Sequence, residues 1–347
     1  MAKGGMTIYD IAEEAGVSAS TVSRVLNGKI SPSNKNRDII ERIVAKHNFR
    51  PNAMARSLSD TRTRTLGLMV ADVRNPYYAK LVVECEKAAN RNGYSIMVCN
   101  ALNDAALEDA NLDKFYEHRV DAIIQIGCRV DSLVSDPEYV AHVKRVCRAI
   151  PFIISGKLDG VDYYRVDIDH TDAMRQAVGY LVSLGHKDVA LVGGSLSVKS
   201  TFDMYKQYIY QLGAAGLPFK DGFLQEGNYT VEGGYDCFMR LMALDRLPTA
   251  IIVVNDYSAA GVIEAAGERG FQVPQEMSVL SFDNTFLSNI VSPKLTSMDY
   301  DYLAFGEKLV EVAIGAIAGE KIPREYTIPP RLVVRDSCAP PSNAQAP

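Results

Sequence analysis

After a few residues of mixed polarity the chain reads "TIYDIAEEAGVSASTVSRVLNG", Thr7 to Gly28. Ile8, Ile11, Ala12 and Ala15 recur at the period of a helix with one apolar face. Thr7 followed by Asp10 predicts an N-cap with an acidic third residue, and Gly16 stops the helix. Ser18 can cap a second helix on which Val22, Val25 and Leu26 face inward, and Asn27-Gly28 ends it. Two short helices joined by a tight turn containing glycine form a helix-turn-helix. A third helix follows, capped by Ser33, with Ile39, Ile40, Ile43 and Val44 as its apolar side. Pro51 breaks it. "NAMARSL" then holds good helix formers, with Asn52 as a cap, but too little apolar surface to be stable alone. It should form only against a partner.

From Leu66 the pattern changes. Short apolar runs alternate with amphipathic stretches: "LGLMVAD", a helix from about Tyr77, "YSIMVCN", a helix near Leu107, "AIIQIG", another helix, then "PFIISG". Such βαβ repetition predicts parallel sheets covered by helices on both faces. It recurs in "DVALVGG", "AIIVVND" and "MSVLSFDN", so two sheets of roughly 120 residues each are expected. "KLTSMDYD" and "PPRLVVRDS" read as late strands returning to complete them.

Composition adds little to this picture, and charge adds more. With 347 residues, 47% hydrophobic and 23% charged, the chain is an ordinary globular one of two or three units. It has no apolar run long enough to span a membrane. Its start resembles no secretory signal, so a cytoplasmic location is expected. The net charge of -5 is uneven: Met1 to Arg64 holds eleven Lys/Arg and six Asp/Glu, a balance of +5, which leaves -10 for the rest. A basic arm on an acidic body points to nucleic acid. Arg56, Arg62 and Arg64 point the same way. Six scattered cysteines without a CxxC pair read as buried, reduced thiols, and no metal-ligand spacing or cofactor fingerprint is present.

On the second helix, Ala19, Ser20, Thr21, Ser23 and Arg24 lie outside the buried stripe. Ser20 and Arg24, four apart, share a face. Small residues let a helix lie deep in a major groove, hydroxyls reach phosphates, and arginine can make a bidentate contact to guanine. A capped hairpin with a solvated face would look the same.

In the body, polar groups at the carboxyl ends of strands are the natural ligand contacts of such sheets. Asn255-Asp256 and Asp283-Asn284 occupy two such ends. Tyr77 and Tyr78 fall at a helix start, and Tyr229 and Tyr302 add aromatic walls. No GxSxG, P-loop, dinucleotide fingerprint or zinc spacing suggests an enzyme. "GGS" at Gly193 lacks the rest of a phosphate loop, Asp167 and Asp169 form a DxD more often found at a strand end, and His170 and His186 have no evident partners.

The stretch "TIYDIAEEAGVSASTVSRVLNG", followed by "RPNAMARSLS" and continued to "RLVVRDS", resembles the lactose-repressor (LacI/GalR) family of bacterial transcription regulators. That resemblance implies an all-α helix-turn-helix DNA-binding domain over 1–50 and a hinge helix and linker over 51–64. A periplasmic-binding-protein-like α/β core of two lobes would follow over 65–340, about 65–165 with 295–320 and 166–294 with 321–340, and then a tail at 341–347. It implies base-edge contacts from Ala19, Ser20 and Arg24, and phosphate contacts from Thr7, Thr21, Ser23 and Asn27. Asn52 to Leu58, through Arg56, would be the hinge helix. Leu58 would wedge into the central minor-groove step, and Ala55 would pack between paired hinges. Asn255 and Asp283 would bond effector hydroxyls inside a ring of Tyr77, Tyr78, Tyr229 and Tyr302.

The implied partners are a near-palindromic operator, a second copy of the chain, and an effector in the cleft between lobes. A periplasmic sugar-binding protein would share the body but carry a signal peptide and no DNA head. Many family members place an arginine four residues before an aromatic in the helix after the "GG" strand. Met204 stands there, with Lys199 and Lys206 nearby as the substitutes to consider, and Gly156 stands where some relatives place an acidic contact. A bare hexose is therefore disfavoured against an oligosaccharide, a glycoside or a protein corepressor. "EGNYT" and "FDNTFLS" resemble the catabolite-control branch, whose members answer to a phosphorylated carrier protein. The tail lacks heptad leucines, so a dimer is expected rather than a tetramer.

Overall fold

The structure, a computed structural model, describes residues 6–26, 35–47, 49 and 62–342. Asn27, Ser33, Asn52, Ala55, Arg56 and Leu58 lie outside them. The chain divides into two units, Met1–Thr63 and Arg64–Pro347.

In the first unit the helices are Ile8–Ala15, Ala19–Leu26 and Lys35–Lys46. Thr7 and Asp10 form a reciprocal capping box. Thr7 Oγ1 accepts from the Asp10 N–H at 3.3 Å, and Asp10 Oδ2 accepts from the Thr7 N–H at 2.7 Å. Gly16 closes the first helix in the left-handed region at φ 65°. Ser18 Oγ accepts from the Thr21 N–H at 3.2 Å and opens the second helix. Ile11, Ala12, Val22, Val25, Ile40 and Ile43 make one core, each isoleucine contributing about 1.5–3 kcal/mol by its burial. Ile39 departs from expectation and is 37% exposed. Neighbouring residues on a helix point about 100° apart, and Ile40 takes the core position.

In the second unit, β1 Thr65–Val70, β2 Ser95–Asn100, β3 Ala122–Ile126, β4 Phe152–Ser155 and β5 Tyr164–Ile168 belong to the first lobe. β6 Val189–Val192, β7 Leu224–Gln225, β8 Ala250–Val253, β9 Ser278–Asp283 and β10 Thr296–Asp299 belong to the second. β11 Glu325–Ile328 returns to the first sheet and β12 Arg331–Val333 to the second. The orders are β11-β5-β4-β3-β1-β2 and β12-β10-β9-β8-β6-β7. All pairings are parallel except that of β10 with β12. Central strands such as β3, β6 and β8 are buried along their whole length, which explains their unbroken apolar runs.

The lobe boundaries differ from those expected at 295–320 and 321–340. Thr296–Asp299 runs beside β9, Thr296 opposite Leu280 and Asp299 opposite Asp283, so it belongs to the second lobe. Glu325–Ile328 pairs with β5 in the first. "EYTI" is an edge strand with a half-polar pattern and resembles a linker in sequence. The chain therefore crosses between lobes three times, after Ile168, Asp299 and Ile328.

His186 has partners after all. Its ring nitrogens bond Thr249 Oγ1 at 2.9 Å, Ser278 Oγ at 3.0 Å and the Ala339 carbonyl at 2.9 Å, pinning the last described segment to the second sheet. All six cysteines are free, and Cys128, Cys147 and Cys338 are only part-buried.

Candidate functional site

Among the described residues, two surfaces concentrate polar groups that face solvent or a cavity. On the second helix, Val22 and Val25 point into the core while Ser20 and Arg24 are exposed, and Ala19, Thr21 and Ser23 lie at the margin. The Ser18 hydroxyl bonds those of Ser20 at 2.8 Å and Thr21 at 2.9 Å, so the start of this face is a hydroxyl cluster. The Thr7 hydroxyl is engaged in the capping box and donates to Asp10 at 2.8 Å.

The second surface is a cavity of about 640 Å³ within the core, a size suited to a drug-sized ligand. Both lobes line it, and it opens at the carboxyl ends of the strands, where parallel α/β sheets hold ligands. The structure brings Tyr77, Tyr78, Met204, Tyr229, Asn255 and Asp283 together in its wall. Tyr302 is the exception. It is 2% exposed and does not line the cavity. Its ring stands edge-on to Tyr77 at 5.8 Å, beneath the Lys80 ammonium at 4.1 Å. Tyr302 opens the helix Tyr302–Ala318, which turns it into the first lobe, and Tyr300 on the preceding crossover takes the place in the wall.

Local structure sets what each group can offer. Asn75 caps the helix Pro76–Arg91 by accepting from the Tyr77 N–H at 3.0 Å, which presents both tyrosines. Gly127 makes room for Tyr78, because a Cβ there would stand 2.5 Å from the phenol oxygen. Asn255 caps the helix Asp256–Glu268, accepting from the Ser258 N–H at 2.8 Å, and donates to the Tyr229 carbonyl at 3.1 Å. One amide N–H and one lone pair of the carbonyl oxygen are thereby used, and one of each is left for a ligand. The Tyr229 hydroxyl bonds Thr201 Oγ1 at 2.7 Å.

Asp283 differs. It is 5% exposed, its carboxylate has no hydrogen-bond partner among the described residues, and its φ is 92°. A non-glycine residue in that region stores about 1–3 kcal/mol of strain, a feature concentrated at ligand sites. Burial, then the nearby Asp256, pushes its pKa well above the usual carboxylate range, with Lys80 opposing. Neighbouring Asp256 is instead satisfied. It accepts from Ser281 Oγ, Ser297 Oγ, and the Thr285 N–H and hydroxyl at 2.5–3.0 Å.

Sequence reasoning missed several wall residues. Asp131 accepts from the Ser200 N–H at 3.0 Å and from Ser200 Oγ at 2.6 Å, joining the lobes. Asp167 and His170, discounted in sequence, both line the cavity, and the His170 Nδ1 is buried without a partner. Lys199 lines it too but is paired with Asp203 at 2.5 Å, as Lys206 is at 2.7 Å, so neither replaces the missing arginine as a free cation. At Gly156, φ is 129° and a Cβ would meet the Val130 carbonyl oxygen at 2.2 Å. A side chain has no room there.

Residues 7–52 match the family described as "Bacterial regulatory proteins, lacI family", and residues 178–338 match a "Periplasmic binding protein-like domain". The chain is 35% identical to catabolite control protein A of Priestia megaterium over 84% of this chain and 87% of that one. It is 31% identical to the transcriptional repressor PurR of Pasteurella multocida over 95% and 98%. The chain belongs to the lacI family. Among solved structures it superposes on the lac repressor dimer bound to operator and the anti-inducer ONPF with a TM-score of 0.86, at 26% identity, covering 97% of this chain and all of that one. As a lacI-family protein it is a DNA-binding transcriptional regulator built from a helix-turn-helix head and a ligand-binding core. No helix among the described residues of this family member is long and apolar enough to cross a membrane, and no group of side chains there is arranged to hold a metal ion.

Proposed function

We propose that the protein is a cytoplasmic, homodimeric repressor of carbohydrate-utilisation genes whose operator affinity is set by a small molecule in the inter-lobe cavity. Each protomer would lay the helix Ala19–Leu26 in a major groove, with Ala19, Ser20 and Arg24 at base edges. Thr7, Thr21, Ser23 and Asn27 would hold phosphates. Asn52 to Leu58 would form the hinge helix, with Leu58 in the minor groove. Two-fold symmetry then asks for a near-palindromic site. The exposed Ser20 and Arg24, beside a fully packed valine stripe, support this reading. So does the likeness to a repressor dimer that is bound to operator.

The observation that carries the effector reading is Asp283, a buried carboxyl with no hydrogen-bond partner among the described residues, in the wall of a cavity shared by both lobes. An oligosaccharide or glycoside fits the tyrosine faces and the size. A protein corepressor in the manner of catabolite control is the second reading, favoured by the identity to catabolite control protein A and by Met204 in the wall. A ligand acts only through different affinity for the two lobe arrangements. Thermal shifts against a panel of glycosides and metabolites, followed by calorimetry on the wild type and Asp283→Ala, test the reading. Loss of binding in the variant supports it. Tight binding of a simple hexose, unaffected by that substitution, would remove it.

A further inference from the structure

The cavity has an unusual charge balance. Of its carboxylates, Asp72 is paired with Arg74 at 2.7 Å and Glu108 with Arg129 at 2.8 Å. Asp131, Asp167 and Asp283 have no ion pair among the described residues. Asp131 is met by Ser200, and Asp167 accepts from the Ser155 hydroxyl at 3.1 Å and the Ile168 N–H at 3.0 Å. Asp283 has no hydrogen-bond partner among the described residues, though the Lys80 charge acts on it. All three line the same cavity, together with Tyr77 and Tyr78.

Positive charge in the wall is already committed. Arg129 is held by Glu108, Asp109 at 2.7 Å and Asp136 at 3.2 Å, and Lys199 by Asp203. Burial pushes the His170 pKa below its ordinary value. Lys80, behind Asp283, donates to the Asn284 carbonyl at 2.9 Å and stands over the Tyr302 ring. Most helix N-termini at the wall, the usual seats for phosphate, carry a side-chain cap, and that of Lys199–Ala214 does not. Asn75, Asp169, Thr230 and Asn255 each cap the helix they precede, and the free N–H of Ser200 is given to Asp131. An anionic ligand would find no uncommitted Lys or Arg among the described wall residues and would lie beside carboxyls that lack a cationic partner, which is unfavourable.

A cation would meet the opposite situation. Tyrosine faces attract ammonium groups, and the serine, threonine and asparagine side chains in the same wall suit hydroxyls. Resting on the reading of the cavity as the effector site, we propose that the effector carries a protonated amine on a polyhydroxyl frame, as an amino sugar does. The ammonium would lie among Asp131, Asp167 and Asp283. Met204 in place of an arginine then removes a repulsive charge from such a ligand.

Calorimetry on the full chain at low salt with four probes tests this: glucosamine, glucose, glucose 6-phosphate and spermidine. Glucosamine should bind at least about tenfold more tightly than glucose, and glucose 6-phosphate more weakly than either. In Asp167→Asn and Asp283→Asn the advantage of glucosamine over glucose should shrink. The wild-type comparison stands even if a variant fails to fold. Glucose or glucose 6-phosphate binding as well as glucosamine would overturn the amine and leave the effector site in place. Spermidine binding best would keep the amine and overturn the polyhydroxyl frame. Binding by none of the four would overturn the proposal, while the effector reading falls only if binding is found and Asp283→Ala leaves it intact.

Discussion

Asp131 of the first lobe and Ser200 of the second meet across the cavity through two hydrogen bonds, both donated by Ser200, at 2.6 and 3.0 Å. Beside them the Leu133 N–H donates to the Ser197 carbonyl at 2.9 Å, and Ser132 bridges Val198. The lobes are thus latched here by residues that also line the ligand space, and the Lys80 ammonium adds a second tie to the Asn284 carbonyl at 2.9 Å. Hydrogen bonds to a charged group contribute about 1.5–3 kcal/mol each. Asp131→Ala should therefore loosen the latch, and Ser200→Ala, which keeps the backbone donor, should loosen it less. Hydrogen exchange at the Leu133 amide reads this directly. Exchange unchanged in both variants would show that the latch does not hold the lobes.

The same aspartate makes stability depend on pH. Burial, opposed by the Ser200 donors, pushes the Asp131 pKa up to about 7. A raised carboxyl pKa means that the folded state binds the proton more tightly than the unfolded state does. Its stabilising contribution is complete below the ordinary aspartate value of about 3.9. It is lost as pH rises to about 7. Melting temperatures from pH 4.5 to 7.5 should therefore fall less steeply in Asp131→Asn than in the wild type. Parallel curves would contradict this.

Asp256 is expected to matter for folding, and Asp283 for binding. Removing the Asp256 carboxylate leaves Ser281, Ser297 and Thr285 with buried donors and no acceptor. Asp256→Ala should cost at least about 3 kcal/mol, since each orphaned buried group costs about 1–3 kcal/mol. Asp283→Ala should leave urea stability nearly unchanged or raised. Equal losses in the two variants would refute the division of roles.

On DNA, Arg24→Ala should relax base preference at one position per half-site, at about 1–3 kcal/mol of discrimination. Leu58→Ala should weaken specific binding more than non-specific binding, because a wedge contributes only where the duplex is kinked. Anisotropy titrations on selected and random duplexes separate the two. A uniform loss on both duplexes in either variant would count against its role.

The regular parts of this fold were legible because their patterns are strong. The capping box of Thr7 and Asp10, the valine stripe of the second helix and the central strands all announce themselves within a few residues. What sequence concealed was long-range. Edge strands such as Glu325–Ile328 carry a half-polar pattern like a linker's, and the crossover after Asp299 decides which of Tyr300 and Tyr302 reaches the cavity. Asp131 and Ser200 lie 69 residues apart in a stretch with no motif, and only the approach of the two lobes gives them a relation. Asn255 and Asp283 looked alike as strand-end polar residues, yet one caps a helix and the other has no hydrogen-bond partner among the described residues.

The most direct test of the whole account is selection of binding sites from random duplexes by the full-length protein. A dimer with one reading helix and one wedge per chain should enrich an inverted repeat whose centre is an easily kinked pyrimidine–purine step. Enrichment of a single unpaired half-site, or of no sequence at all, would contradict it.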